Sequence, residues 1–299
     1  MSLLHSLARI NAFELDDFLP FFLAGMHTGW VHQDFAPRLR AFPEVFTVSS
    51  EKVALNDELN SFSARTEAVD AAMALLYREQ HLAYAYYHPE HCAVSHSTPD
   101  QPLMSMRRHV LNYFGLPVYA CNVNGIVRTN GRSFFWFSRR AASLSLAPGK
   151  LDLLAAGGIA CGMGIRDTLI KEGLEEANLP ANRTCQAEAT GLVSFCSQQG
   201  HVLRYCHMYT HLLELPEHFT PRANDQSVEE FLLLPTEEVL AMLSDPHCFA
   251  PNVYPTICAH FIREGYIDRT HPEYALIQRS LQIHAPSGSP LLTKYASGD

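Results

Sequence analysis

Apolar and polar positions follow two different periods along the chain, and the places where one gives way to the other divide it. Residues 5–25 and the run RTEAVDAAMALLYREQ from Arg65 to Gln80 carry helical spacing; in the second, Val69, Met73 and Leu76 recur at intervals of three and four. From Leu116 the period shortens to that of a strand, in PVYACNVNGIVR, a polar TNGR turn, and SFFWFSRR. Asn130-Gly131 between two such runs predicts a two-residue hairpin turn. Strands are predicted again at GLVSFCSQ, VLRYCHMYTHLLEL and VEEFLLLP, and helices at TEEVLAMLS and PTICAHFIREG. Strands mixed with helices in this order predict an α+β or layered α/β/α domain. The change of period places a boundary near residues 112–117, giving an N-terminal accessory domain over 1–112 and a larger domain over 113–285. The low-complexity end PSGSPLLTKYASGD, residues 286–299, is expected to be a flexible tail.

One helical stretch breaks the usual rules. In LAAGGIACGMGIRDTLIKEGLEEANLP, residues 154–180, a glycine-rich loop leads into a short helix carrying Glu172, Glu175 and Glu176. Like charges three and four residues apart cost a helix roughly 0.5 to 1 kcal/mol for two such pairs, and acids near a helix C-terminus oppose its dipole. With Ile170 at zero and about 100° per residue, Leu174 and Ala177 fall at roughly 40° and −20°, and the three glutamates at roughly 200°, 140° and 240°. The expectation is therefore a helix that packs Ile170, Leu174 and Ala177 on a sheet and turns three carboxylates outward, toward water or a metal ion. Asn178 is expected to close it in a left-handed cap, with Pro180 just beyond.

Composition narrows the chemistry. A chain of 299 residues, 47% of them hydrophobic, is ample for a buried core. No basic-then-apolar leader and no apolar run of roughly 18 residues is present, so the expected location is the cytoplasm, with no membrane partner. The eight cysteines show no CxxC pair and are expected to be reduced, buried thiols. A net charge of −9 without a basic run argues against nucleic acid, and it means that a phosphate ligand would need a mediating cation. His88, His91 and Cys92, and likewise Cys206, His207 and His211, lie close in sequence but lack a four-ligand zinc spacing. No GxSxG elbow occurs, and in APGKL the Gly-Lys pair is followed by Leu, not Ser or Thr, so it is not a phosphate loop.

The glycine loop and acidic helix resemble the Nudix box, Gly-x5-Glu-x7-Arg-Glu-apolar-x-Glu-Glu-x-Gly-apolar. Aligned from Gly157, the chain supplies Glu172, Glu175, Glu176 and Leu179 in register and departs at Met163, Lys171, Gly173 and Asn178. The segments FPEVF, RTEAV, YFGLPVYACNVNG, SRRAAS, APGKLDLLAAGG, LIKEGLEEANLP, GLVSFC, LELPEHFTPRANDQSVEEF and HFIREGYID extend the likeness to about residue 282. They resemble the Nudix proteins associated with thiamine pyrophosphokinase, a branch in which Lys-Glu commonly replaces Arg-Glu and an apolar residue replaces the first Glu. That resemblance implies a Nudix α/β/α sandwich behind an additional N-terminal α+β domain. The added domain would shape the substrate pocket or pair two copies as a homodimer.

It also implies a metal-dependent diphosphate hydrolase. Glu172, Glu175 and Glu176, with a backbone carbonyl at Ala156 or Gly157 and a later carboxylate at Glu229 or preferably Glu230, would hold Mg2+, with Mn2+ as the substitute. Glu175 and Glu176 would be the principal ligands and Glu172 a ligand or the general base. Arg139, Arg140 and Lys150 would contact the substrate phosphates. The implied substrates are thiamine diphosphate analogues, the oxy and oxo damaged forms, cut to the monophosphate and phosphate; nucleoside diphosphate derivatives of the ADP-ribose or dinucleotide type are the rival. Tyr84, Tyr86 and Tyr87 or the strand Phe134 to Phe137 would wall the organic group. The relatives usually carry Lys where this chain has Leu144, Asn where it has Leu153, and Gly-Trp-Arg-Asn-Glu where it reads AYAYYHPEHC, so substrate recognition is expected to differ. An isomerase on the same fold lacks its reactive Cys and histidine-rich metal site here, and a non-catalytic ligand sensor would have no use for three intact glutamates.

Overall fold

A four-stranded and a seven-stranded β-sheet, with a smaller two-stranded one, organise this computed structural model, which describes residues 2–78, 90–96 and 101–283. The expected tail lies outside that range. The first part of the chain forms α1 (Leu3–Ile10), β1 (Phe18–Leu23), β2 (Met26–His32), α2 (Ala36–Leu39), β3 (Phe46–Val48), β4 (Val53–Leu55), α3 (Phe62–Arg78), β5 (His91–Val94), β6 (Met104–Arg107) and α4 (Arg108–Leu111). Four of these strands make a sheet in the order β2-β1-β4-β3, and β5 pairs with β6. Phe21, Leu39, Val69, Met73, Met106 and Phe114 close one core between them.

The helical spacing at residues 5–25 is realised only as far as Ile10. Asn11 caps α1 through its N–H to the Leu7 carbonyl, and FLPFFL is the strand β1. Pro20 cannot sit inside a helix. In the strand it precedes Phe21 and Phe22, the two residues that β4 pairs, while the phenylalanines suit a pleated, half-buried surface. By contrast, α3 follows its spacing and buries Val69, Met73 and Leu76.

The second part forms β7 (Pro117–Thr129), β8 (Arg132–Arg140), β9 (Leu151–Asp152), β10 (Ala155–Gly158), α5 (Ile165–Ala177), α6 (Ala181–Thr184), β11 (Glu188–Gln199), β12 (Val202–Glu214), β13 (Val228–Pro235), α7 (Thr236–Met242), α8 (Val253–Arg263) and α9 (Tyr274–Ser280). A seven-stranded sheet runs β11-β12-β7-β8-β13, with β10 on β7 and β9 on β8. Asn130 and Gly131 both have positive φ, 49° and 73°, as a type I′ turn requires between the paired residues Thr129 and Arg132. The long strand β7 serves two neighbours on one edge: residues 120–123 pair with β10 and residues 125–129 with β8.

Helices cover both faces of this sheet. On one side α5 buries Leu169 and Ala177 against Cys121, Val123 and Leu154. On the other, Ile257 and Phe261 of α8 meet Phe135 and Phe137, and Leu3, Leu7 and Ile10 of α1 join the same cluster. The molecule is thus an α/β/α sandwich with an N-terminal α+β unit, and the first helix of the chain packs into the back layer of the sandwich. Among the described residues no helix is long and apolar enough to cross a membrane.

Candidate functional site

The glycine pair of β10 is where the acidic helix meets the sheet. Gly157 pairs with Cys121 and Gly158 with Ala120. A Cβ on Gly157 would lie 2.1 Å from Cδ of Glu172, so the absence of a side chain is what lets that carboxyl rest against the strand. One residue back, the Ala156 N–H donates to Oε2 of Glu176 at 2.9 Å. The acidic helix therefore presents Glu172 and Glu176 to a backbone edge rather than to a wall of side chains.

This corrects the expected orientation of α5. Its buried residues are Thr168, Leu169, Gly173 and Ala177, while Leu174 is 48% exposed. The Glu172 side chain is only 12% exposed, against 48% for Glu175. A wheel weighted by hydrophobicity turns Leu174 inward; here two carboxyls are turned inward because a side-chain-free strand receives them. Glu176 is accordingly not a surface acid. Burial pushes it up to about 8, the Ala156 N–H pulls it back, and Asp152, Glu172 and Asp225 add to the rise.

Lys171 resolves the repulsion within the helix. Its Nζ lies 2.8 Å from Oε1 of Glu172 and 3.1 Å from Oε2 of Glu175. At the far end Asn178 adopts φ 52° and ψ 35°, the expected left-handed cap, and Leu179 N–H closes on the Gly173 carbonyl at 2.8 Å. Asn224 donates to the Leu174 carbonyl at 2.7 Å and Arg222 N–H to that of Ala177 at 3.2 Å. The segment that carries Asp225 is thereby tied to the end of the acidic helix.

The other expected site residues are placed differently. Arg139 and Glu230 pair with each other at 2.5 Å, across β8 and β13. Arg140 pairs at 2.8 Å with Asp152, which is 7% exposed and also accepts from Asn252 at 2.8 Å. Lys150 donates to the His247 carbonyl. The carboxylates that act on Glu176 are thus Asp152, Glu172 and Asp225, with Glu230 held by an arginine instead. Phe135 and Phe137 are core residues, and Tyr84, Tyr86, Tyr87 and His88 lie outside the described residues.

Arg108, which no motif singles out, also reaches this region. A Cβ on Gly158 would fall 2.8 Å from its Cζ, Nε and Nη2, so the guanidinium lies flat on that glycine. Burial lowers Arg108, and Glu172, Cys206 and Glu176 counter the shift. The only signal in the sequence that could have found it is the second glycine of the pair.

An oxygen-rich pocket edge of this kind suits a hard divalent cation. The donors are carboxylates against a backbone edge, burial holds the Glu176 carboxyl up to about 8, and the Gly157 cradle lets Glu172 rest on the strand. The His and Cys clusters show no such fit. Nδ1 of His207 pairs with Oγ of Ser194 at 2.7 Å, and Nδ1 of His211 with the Asn122 carbonyl at 3.2 Å. His32, Asp34 and His201 converge among the described residues, but Nδ1 of His32 already accepts the Asp34 N–H at 3.1 Å, which removes the lone pair nearest that carboxylate.

Comparison with known proteins gives matches to both parts of the chain. Residues 2–117 match the model of a domain of unknown function, DUF4743. The chain is 32% identical over 275 residues to Nudix hydrolase 24, chloroplastic, of Arabidopsis thaliana, covering 90% of this chain and 74% of that protein. It is 30% identical over 263 residues to Nudix hydrolase 20, chloroplastic, of the same plant, covering 85% and 70%. Among solved structures, the NUDIX domain of Shewanella oneidensis NrtR complexed with ADP ribose is 15% identical, covering 51% of this chain and 90% of that one with a TM-score of 0.40.

Proposed function

The chain belongs to the Nudix hydrolase family and is a diphosphate hydrolase; from that premise we propose that it is magnesium-dependent and acts on thiamine diphosphate analogues, releasing the monophosphate and phosphate. The observation that carries the metal site is the meeting of Glu172 and Glu176 with the glycine pair of β10. A divalent ion bound there would neutralise diphosphate charge and lower the pKa of water. Glu172 and Glu176 would hold it together with the Gly157 carbonyl, and Mn2+ would serve in place of Mg2+. Glu175, on the exposed edge of the same helix, would take the proton of the attacking water. Lys171 holds Glu172 and Glu175 in place at 2.8 and 3.1 Å.

Asp225 is proposed as the later carboxylate of the site in preference to Glu230, because it acts on Glu176 and lies on the segment tied to the end of α5. Arg139, Arg140 and Lys150 are engaged within the fold, so a phosphate contact from them would require those partners to be exchanged. Residues 1–112 are proposed to shape the substrate pocket, residues 113–285 to carry the chemistry. The eight unpaired cysteines suit a reducing compartment such as the cytoplasm.

The thiamine reading is supported by the resemblance of the chain, to about residue 282, to that branch of the family; ADP-ribose, the ligand of the NrtR domain, represents the rival class. The deciding measurement is kcat/KM on oxythiamine diphosphate, thiamine diphosphate, ADP-ribose and NADH at one Mg2+ concentration. A clear preference for either nucleotide would overturn the thiamine assignment and leave the hydrolase intact.

A further inference from the structure

The loop between the glycine pair and the acidic helix is held from two sides: the Ile159 N–H donates to the Tyr119 carbonyl of β7 at 2.8 Å, and three further ties come from the N-terminal unit. Nη2 of Arg108 donates to the Gly158 carbonyl at 3.5 Å. Cys92 of β5 forms an antiparallel bridge with Ala160. The Cys161 N–H donates to the His91 carbonyl at 2.7 Å. Arg108 is itself fixed twice to Glu90, through its backbone N–H to the Glu90 carbonyl at 3.1 Å and through an ion pair between the side chains. Only 26% of the arginine side chain and 16% of the glutamate side chain are exposed.

Residues 158–163 are the stretch that joins Gly157, whose carbonyl and cradle serve the proposed metal site, to Gly164, the N-cap of α5. Where this loop sits decides how the strand edge faces Glu172 and Glu176. A buried ion pair is a weak contributor to stability, whereas groups that orient metal ligands without touching the ion commonly govern its affinity. We propose that Arg108 is a positioning residue for the metal site: with Glu90 and β5 it fixes the loop after Gly157, so that the N-terminal unit and the acidic helix bind the ion as one assembly. This rests on the metal-dependent reading above.

Positioning and plain charge would shift metal affinity in opposite directions. A cation near Glu172 and Glu176 repels an incoming divalent ion, so if Arg108 acted only by its charge, removing it would tighten metal binding. A positioning role demands the reverse. Binding is also reciprocal: if the docked N-terminal unit favours the ion, the ion must favour the docked unit.

The test uses the full chain and Mn2+ as the probe, with its affinity read by calorimetry or from the free-ion spin resonance signal. Arg108→Gln is expected to weaken Mn2+ binding about tenfold or more. Because that variant strands the Glu90 carboxylate, Glu90→Gln/Arg108→Gln removes both charges together and is expected to show the same loss. Gly158→Ala keeps every charge but pushes a methyl into the guanidinium, and is expected to weaken binding too. In the wild type, Mn2+ is expected to slow amide exchange at His91–Val94. Unchanged or tighter Mn2+ binding in the folded double variant would overturn the proposal, as would exchange in β5 that ignores the ion. If the wild type binds Mn2+ in this manner yet hydrolyses none of the diphosphates, the hydrolytic reading fails and this one stands.

Discussion

The carboxyl of Glu172 occupies the space where a side chain on Gly157 would begin: a Cβ there would fall 2.1 Å from Cδ and 2.4 Å from Oε1. Strand and helix fit together because one residue has no side chain. Gly157 does not have a positive φ, so alanine suits its backbone, and the three atoms nearest the added methyl all belong to Glu172.

Gly157→Ala is therefore expected to separate activity from stability. The displaced carboxylate should lower turnover on any diphosphate substrate by about ten- to a hundredfold, the range seen when ligand-orienting groups are lost, with a melting temperature within a few degrees of the wild type. Full activity with saturating Mg2+ would remove Glu172 from the site.

Glu176 gives a pH signature. Its carboxyl is held up to about 8, against 4.5 in the unfolded chain. The folded protein keeps a proton that the unfolded chain releases, so this contribution to stability is complete below the unfolded value and is lost as pH rises through the folded one. Without divalent ions the wild type should lose more thermal stability between about pH 5 and 8 than Glu176→Gln does, and Mg2+ should erase most of the difference. The same variant should cut turnover by orders of magnitude. Equal pH profiles in metal-free buffer would count against the buried, protonated glutamate.

Asp152→Asn tests the ion pair behind the site. Arg140 would lose its charged partner, and the single amide oxygen of asparagine could serve Arg140 or Asn252 but not both in this geometry, in a place where the aspartate side chain is 10% exposed. A loss of about 3 kcal/mol is expected in denaturant unfolding, with a smaller effect on KM. A large rise in KM with intact stability would instead assign Arg140 to the substrate.

Residues 113–299 expressed alone should fold poorly. Removing the first part deletes α1, whose Leu3, Leu7 and Ile10 belong to the back core of the sandwich, and each such side chain is worth about 1.5–3 kcal/mol when fully buried. The fragment should bind hydrophobic dyes, and a synthetic peptide spanning residues 2–12 should reduce that binding. A fragment that is monomeric, cooperative and active without the peptide would show that α1 is dispensable.

Local chemistry in the sequence carried much of this architecture. Asn130-Gly131 and Asn178 each specify a left-handed backbone, and both residues adopt it where expected. The spacing of Val69, Met73 and Leu76 placed α3. The face of α5 was not legible, because a helical wheel assumes that apolar side chains point inward, whereas Glu172 and Glu176 meet a strand edge without side chains. The partners of Arg139, Arg140 and Lys150 were equally hidden, since a cation looks the same in sequence whether it awaits a phosphate or already holds Glu230 or Asp152. Arg108 left one trace in the sequence, the second glycine of the pair, and that glycine does not say which side chain lies on it.

The seat of α1 also sets a timetable. Asn11, just after that helix, is 5% exposed, donates to the Ser280 carbonyl at 3.0 Å and accepts the Cys196 N–H at 3.2 Å. During synthesis residues 3–11 leave the ribosome ahead of the other described elements, and α8 and α9 leave more than two hundred residues later. At about 5–20 residues per second the amphipathic first helix waits on the order of ten seconds or longer for its partners. The N-terminal sheet can assemble in that interval, but the sandwich cannot be sealed until nearly the whole described chain has been made. A nascent chain stalled ahead of α8 would display Leu3, Leu7 and Ile10 to any holdase that binds apolar helices.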